Sequence, residues 1–514
     1  MTKPSDMLLQ QSGIGGDVTV PVAFDLLNKG EVELANAAFT RILQKQPRSA
    51  EALFGLGQIA QRRGDLKEAA QFYSRAVQAN RSLIEPHMAL GNVFQAMGRL
   101  SQAYSAYKEG LSVAPGYAPL HFNIGVCLRR MGDHDTGIAA LKNAVKLQPD
   151  HVMALFSLGN AYRDREDAAS AEQYYREAVR LRPDYADAQC NLGGLLAQRK
   201  AHEEAAACFD AALRAVPNHF VALKNRSLSL FQLGRYEEGA LNAAAALKQQ
   251  PDDMMLHYHM GEMIYGLMRS GNVETARRHA REWAAAYPDN SVAQHMAAAA
   301  MGEGAPSRAD DAYVRETFDR FSADFEKVLG GLEYRAPQLL EAAIAARIGD
   351  RRGLSILDAG CGTGLCAPLL KPRADKLIGV DLSGGMLAKA EGRGYDALHE
   401  AELGAFLRGT PDRYDLTVAA DVFCYFGDLA PLLADLAPRM TQGALLAFTV
   451  ERIDGEAPAG GYRLNPTGRY AHAGSYLQNV LAQHGFTELQ MQEDAARVEM
   501  GVPVPCYVVT ALKA

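Results

Sequence analysis

The sequence predicts a multi-domain chain: an all-α solenoid of stacked helical hairpins, then an α/β domain built on a mixed sheet. Two observations predict it. Pro47, Pro115, Pro149, Pro183, Pro217 and Pro251 fall on one grid of 34 residues, with Arg81 at the vacant point. Units of that length are helical hairpins that bury their apolar faces only by stacking. The second observation is the stretch Leu354 to Asp381, LSILDAGCGTGLCAPLLKPRADKLIGVD. An apolar strand runs into glycines at alternate positions, then a helical segment, then an apolar strand ending in an acid. This is a β-loop-α-β unit whose turn carries almost no side chains, so a ligand can approach its backbone.

Composition narrows the class. The 514 residues allow about three domains. The formal charge of −7 argues against a nucleic-acid binder, which needs a basic surface. The seven cysteines are scattered and form no C-x-x-C pair, which fits a reducing compartment and no zinc site. The first twenty residues lack the apolar core of a signal peptide, and no apolar run has the length of a membrane span. The expected location is cytoplasmic.

Taken in order, residues 1–19 are polar and expected to be flexible. The repeats occupy 20–290 as about eight hairpins. With proline as position 32, position 8 is small in Gly57, Gly91, Gly125, Gly159 and Gly193. Position 24 is bulky in Tyr73, Tyr107, Leu141, Tyr175 and Phe209, and position 27 is small from Ala76 to Ala246. A 34-residue hairpin with this alternation of small and large positions is the tetratricopeptide repeat. Terminal repeats are expected to depart from the pattern as caps. First helices line the inner groove of such stacks. Asn123, Asn191 and Asn225 at position 6, with Asn92 and Asn160 at position 9, form a candidate ladder for the backbone of an extended peptide. Similar ladders occur in tetratricopeptide proteins that hold peptides.

Residues 291–310, rich in Ala, Gly, Pro and Ser, read as a linker. Residues 311–353 read as a helical segment carrying Phe318, Phe321 and Phe325 at helical spacing. Residues 354–514 hold the sheet. Strands are expected at 354–358, 376–381, 395–401, 414–420 and 444–450, then an antiparallel pair at 486–491 and 507–512. Asp358, Asp381 and Asp421 each end a strand and should share one crevice.

The glycines run G-x-G-x-G, not the G-x-G-x-x-G of dinucleotide sites, and an acid precedes them. An acid there repels phosphate and suits an ammonium group. D-A-G-C-G-T-G followed by I-G-V-D-L-S closely resembles the class I S-adenosylmethionine-dependent methyltransferases. That resemblance implies a Rossmann-like, seven-stranded mixed sheet with S-adenosyl-L-methionine as cofactor. It implies cofactor contacts at Asp358, Gly360, Cys361, Gly362, Gly364, Asp381, Leu382, Met386, Glu402, Leu403, Asp421 and Val422. It also makes 311–353 a lid. Arg335 is a candidate partner for the cofactor carboxylate, since guanidinium forks match carboxylates. For catalysis the candidates are Arg469, Tyr470 and His472, in an expected loop after strand five. Tyr425 and Phe426 form a candidate aromatic wall. No N-P-P-[YF] motif follows strand four, so DNA adenine methylation is not expected. The chain as a whole resembles a bacterial group of tetratricopeptide-repeat methyltransferases.

Three functions stay open at this point. The repeats recruit a protein or peptide to an active methyltransferase. Alternatively, the acceptor is a small carboxylic acid or lipid precursor and the repeats only localise the enzyme. In the third, the chain is a scaffold with a vestigial methyltransferase fold. The acceptor, any general base and the oligomeric state are not legible.

Overall fold

The computed structural model describes Leu9 and residues 18–302, 305–499 and 501–514. The expected flexible segment 1–19 lies, apart from Leu9, Val18 and Thr19, outside the described residues. The chain divides into two compact units, Met1–Arg226 and Ser227–Ala514, with the division inside the helix Phe220–Gln232.

The first unit is helical throughout its described length. Helix pairs run from Val20–Asn28 with Val32–Lys45 to Ala186–Gln198 with His202–Ala215. The small and large positions interlock as the period requires. A Cβ on Gly57 would stand 2.4 Å from the Tyr73 ring, one on Gly91 2.2 Å from Tyr107, and one on Gly159 2.4 Å from Tyr175. Those rings are among the largest fully buried side chains. The turn inside each hairpin uses one left-handed residue, at Gly30, Gly64, Gly98 and Gly132. Glu166 and Lys200 take the same conformation at the corresponding positions of the next two repeats, φ 61° and 62°. A side chain there carries strain that glycine does not. Several second helices are capped by an aspartate, as at Asp65, Asp133 and Asp167, whose carboxylates accept backbone N–H bonds.

The second unit holds the last hairpin, Met254–Arg269 with Val273–Ala286, and then the sheet domain. The expected linker at 291–310 is corrected by the helix Ser291–Met301. Asn290 caps its start, Gly302 ends it in a left-handed turn, and Val292, Ala293, Ala297 and Ala299 are buried. Alanine favours a helix once one face can be buried, which outweighs a loop-like composition.

The sheet strands are β1 (Leu354–Ala359), β2 (Ala374–Asp381), β3 (Ala397–Glu400), β4 (Tyr414–Ala419), β5 (Met440–Arg452), β6 (Tyr462–Leu464), β7 (Tyr470–His472), β8 (Phe486–Glu499) and β9 (Val502–Lys513). The order β3-β2-β1-β4-β5 is parallel, and β9 pairs antiparallel with both β5 and β8. Those seven strands are the expected mixed sheet. The short hairpin β6–β7 extends it beside the end of β5. It replaces the loop expected to hold Tyr470 and His472. Apolar clusters cover both sheet faces, one around Leu357, Phe448 and Leu477, the other around Ile356, Leu340 and Val508. Such a parallel core places its ligand crevice beyond the carboxyl ends of β1, β2 and β4.

Candidate active site

The glycine loop after β1 builds the floor of a cavity. Gly360 and Gly362 adopt positive φ, 68° and 54°. A Cβ on Gly360 would strike Val422 at 2.4 Å, whereas one on Gly362 would meet no atom within 4 Å. Gly362 lines the cavity, so its missing side chain is part of the open space. Beside it, the buried Thr363 hydroxyl has no hydrogen-bond partner and also lines the cavity. An orphaned donor there is what a bound polar ligand would satisfy. The cavity encloses about 1220 Å³ of atom-free space, open mouth included.

Asp358, Asp381, Glu402 and Asp421 all line this one cavity. Asp358 is 1% exposed and accepts a bond from the Tyr395 hydroxyl at 2.6 Å. Burial pushes its carboxyl up to about 7, and the Asp381 charge adds to the shift. Asp381 accepts N–H bonds from Gly362 at 2.8 Å and Ser383 at 2.9 Å. Burial still holds it above the usual carboxylate range. Glu402 caps the helix Leu403–Gly409 through the Gly404 and Ala405 amides and pairs with Arg308. Burial pushes Glu402 upward, but those amides and Arg308 outweigh it and leave the carboxyl low.

Asp421 differs. It sits at φ 59°, its N–H bonded to Thr449 Oγ1 at 2.9 Å. Arg497, 2% exposed on β8, donates to it at 2.7 Å and also pairs with Glu451 and Glu499. Arg469 pairs with Glu499 and lines the cavity with Arg497. Two guanidiniums and three carboxylates thus form one charge network at this end, buried at Arg497 and Glu451 and part-exposed elsewhere.

Cys361, Leu382, Leu403 and Val422 also line the cavity. Gly364 and Met386 do not. A Cβ on Gly364 would press on Arg393 and Tyr395 behind the loop, and Met386 is fully buried. Of the catalytic candidates only Arg469 reaches the cavity. Tyr470 is buried and donates to the Pro306 carbonyl at 2.7 Å. His472 is buried on β7 with Nε2 at 3.0 Å from the Gly427 carbonyl. Burial lowers it to about 4, so it is neutral and holds the hairpin in place. β7 draws both side chains inward because its neighbours on each side fill the space a loop would leave open.

The expected aromatic wall is present: Tyr425 and Phe426 line the cavity, and Phe318 meets Tyr425 edge-on at 5.5 Å. Phe318 and Phe325 face inward from the helices Asp311–Phe321 and Phe325–Gly331, while Phe321 is 38% exposed. Arg335 is mostly exposed and reaches Asp494 at 3.6 Å; its neighbour Tyr334 is the one that enters the cavity. Among the asparagines, Asn92 and Asn160 accept from the Tyr107 and Tyr175 hydroxyls, both at 2.7 Å. Asn123 and Asn191 donate to Asn92 and Asn160 at 3.3 and 2.8 Å. They form two like triads 68 residues apart. Asn225, half-buried, belongs to neither.

The tetratricopeptide repeat profile matches residues 24–83, 88–150, 127–186, 158–220 and 225–291. The chain belongs to the tetratricopeptide-repeat family. A methyltransferase domain profile matches residues 331–490. This repeat protein therefore carries a C-terminal methyltransferase domain, and that domain contains the glycine loop and the strand-end acids. A demethylmenaquinone methyltransferase of Lactococcus lactis subsp. lactis is 33% identical over 90 residues, 17% of this chain and 36% of that protein. A malonyl-[acyl-carrier protein] O-methyltransferase of Salmonella typhimurium is 27% identical over 174 residues, 33% of this chain and 66% of that protein. The chain thus spans about a third and just under two thirds of these curated relatives. Among solved structures, pilF of Pseudomonas aeruginosa is 18% identical, with TM-score 0.39, covering 42% of this chain and 99% of that one. YrrB, titled a TPR protein with an unusual peptide-binding site, is 22% identical, with TM-score 0.32, covering 36% and 96%. Among the described residues, no helix is long and apolar enough to cross a membrane.

Proposed function

We propose that this chain is an S-adenosylmethionine-dependent methyltransferase whose repeats recruit a protein or peptide partner. The single observation that carries the reading is the convergence of Asp358, Asp381 and Glu402 on one cavity floored by the bare Gly360–Gly362 backbone. The residues fit the cofactor at each end. Asp358 and the orphaned Thr363 hydroxyl would hold the amino-acid end, and Asp381 the ribose hydroxyls. Glu402 and Leu403, which line the same cavity, would hold the adenine. When bound, S-adenosylmethionine supplies a methyl group on a positively charged sulfur. The protein's task is then alignment of an acceptor with that carbon, which can supply much of the barrier reduction. Tyr425, Phe318 and Tyr334 shape the acceptor side and exclude water.

The two asparagine triads support the recruiting role. Asn92 and Asn160 spend their carbonyls on tyrosine hydroxyls and on the next asparagine, which fixes the orientation of each amide. Oriented amides on successive first helices suit the backbone of an extended peptide.

A second reading of the acceptor, a carboxylic acid, has its own observation. Among the described residues no imidazole lines the cavity, His472 included, and Arg469 does. A carboxylate needs no general base, and a guanidinium fork matches its geometry. The Salmonella relative is named for an acid carried on a protein, an acceptor that would satisfy both readings.

Calorimetric titration of S-adenosylmethionine into the full chain tests the core claim. Asp381→Ala should weaken binding by about 1.5–3 kcal/mol through loss of a charge-assisted hydrogen bond. No binding to the parent chain, or unchanged affinity in the variant, refutes the assignment. Labelled-methyl transfer into a lysate, with and without residues 1–217, then separates recruitment from mere localisation.

A further inference from the structure

We infer that the last helical hairpin is part of the methyltransferase, with Tyr258 as the residue that positions the wall over the cofactor cavity. This rests on the methyltransferase reading of that cavity. The wall is the helix Asp311–Phe321, whose Asp311, Val314 and Phe318 line the cavity. Thr317 and Arg320 of the same helix face the hairpin, and Tyr313 and Glu316 face the helix Ser291–Met301. Thr317 Oγ1 donates to the Tyr313 carbonyl at 2.7 Å, so the Tyr258 hydroxyl, 3.2 Å away, is the donor to Thr317. The Arg320 guanidinium stands over the Tyr258 ring at 4.3 Å. Ser291 donates to Glu316 at 2.8 Å. Tyr258 thus holds two positions of the wall helix, one turn apart, with one side chain, by its ring and by its tip.

Another face of the same turn is fastened to the segment after β2: Asp319 accepts from Ser383 Oγ and from the Gly385 amide at 3.2 Å. The helix is therefore held between Tyr258 on one side and the loop after β2 on the other. A second link runs from Ser291–Met301. His295, buried, stacks on Tyr313 at 4.0 Å and bonds the Gly468 carbonyl at 2.8 Å. Gly468 has no room for a side chain, since a Cβ would stand 2.7 Å from the Tyr313 hydroxyl. The next residue, Arg469, lines the cavity. Two walls of the site, the helix and the turn bearing Arg469, thus rest on the last repeat hairpin and on the helix that follows it.

The test uses the full chain and two readouts. Amide hydrogen exchange of residues 311–321 needs no cofactor; titration of S-adenosylmethionine does. Tyr258→Ala should raise exchange across 311–321 and weaken cofactor affinity, each by up to about tenfold, since a cation–π contact and a hydrogen bond are lost together. Tyr258→Phe keeps the ring under Arg320 and should recover most of both. Arg320→Ala approaches from the other side, and the double variant should be no worse than Tyr258→Ala alone. Exchange and affinity unchanged in Tyr258→Ala, or additive effects in the double variant, overturn the inference. If the parent chain binds no S-adenosylmethionine, the functional reading falls, and the exchange data still decide the role of Tyr258.

Discussion

Asp358 makes cofactor binding pH-dependent below neutrality, and the structure sets the size of the effect. Its carboxyl is buried, receives one bond from Tyr395, and is pushed up to about 7. An ammonium group placed beside it would draw the carboxyl back to the ordinary range of about 4. Binding then requires the carboxylate, so a protonated Asp358 must first release its proton. Affinity should fall about tenfold per pH unit below 7, about fiftyfold from pH 7 to pH 5, or about 2.3 kcal/mol. At pH 6, about 0.9 proton should leave per cofactor bound, which calorimetry reads from two buffers of different ionisation heat. An α-amino group itself titrates at about 7.7–8.0, so affinity should decline again above pH 8.

Asp381 is also raised by burial and would add to the same slope. Asp358→Asn separates the two. That variant keeps the volume and the bond to Tyr395 but carries no charge, so most of the acid-side slope should vanish. Affinity independent of pH between 5 and 7, or no proton released at pH 6, refutes the pairing of Asp358 with an ammonium group. The cofactor-free protein provides an opposite-signed check. A carboxyl raised in the folded state binds a proton that the unfolded chain has lost. Its contribution to stability is therefore present below about pH 4 and is lost as pH rises through 7, by up to about 4 kcal/mol. Cofactor-free Asp358→Asn should lose that part of the pH dependence in chemical unfolding.

Two predictions concern the repeats. Gly91→Ala forces a Cβ to 2.2 Å from the Tyr107 ring and should destabilise by about 1–3 kcal/mol in chemical denaturation; a neutral result would mean the hairpins do not interlock there. Lys200→Gly relieves a left-handed φ of 62° and should stabilise by about 0.5–1 kcal/mol, whereas a loss would show that the Lys200 side chain makes a contact worth more than the strain.

What the sequence made legible follows from how local each signal is. The repeats were readable because one hairpin needs the same small-against-large pairing as the next, so Gly57–Tyr73 recurs as Gly91–Tyr107 and Gly159–Tyr175. The left-handed turn position repeats at the same interval. It was obscured where Glu166 and Lys200 replace glycine. The glycine loop and Asp381 were readable because β1, the loop and β2 are contiguous, and parallel pairing of Asp358 with Gly379 sets their heights. Thr363 lies inside the same motif, and its orphaned hydroxyl was within reach of the same reasoning.

The acceptor side was not readable, because its groups come from segments far apart in the chain. Arg469 precedes β7, Arg497 lies on β8, Tyr334 precedes the helix Ala336–Ile348, and Asp421 follows β4. Three acids at strand ends look alike in the sequence, yet their partners divide them. Asp358 is met by a neutral hydroxyl and Asp381 by backbone amides, so both keep lone pairs for a ligand. Asp421 is met by a buried guanidinium that also holds Glu451 and Glu499. Replacing that guanidinium would leave Asp421 without its cation and Glu451 and Glu499 with Arg469 alone, a cost of several kcal/mol. Asp421 is therefore bound into the architecture of the acceptor end, and the charge that an incoming acceptor meets there is that of the whole network, not of one aspartate.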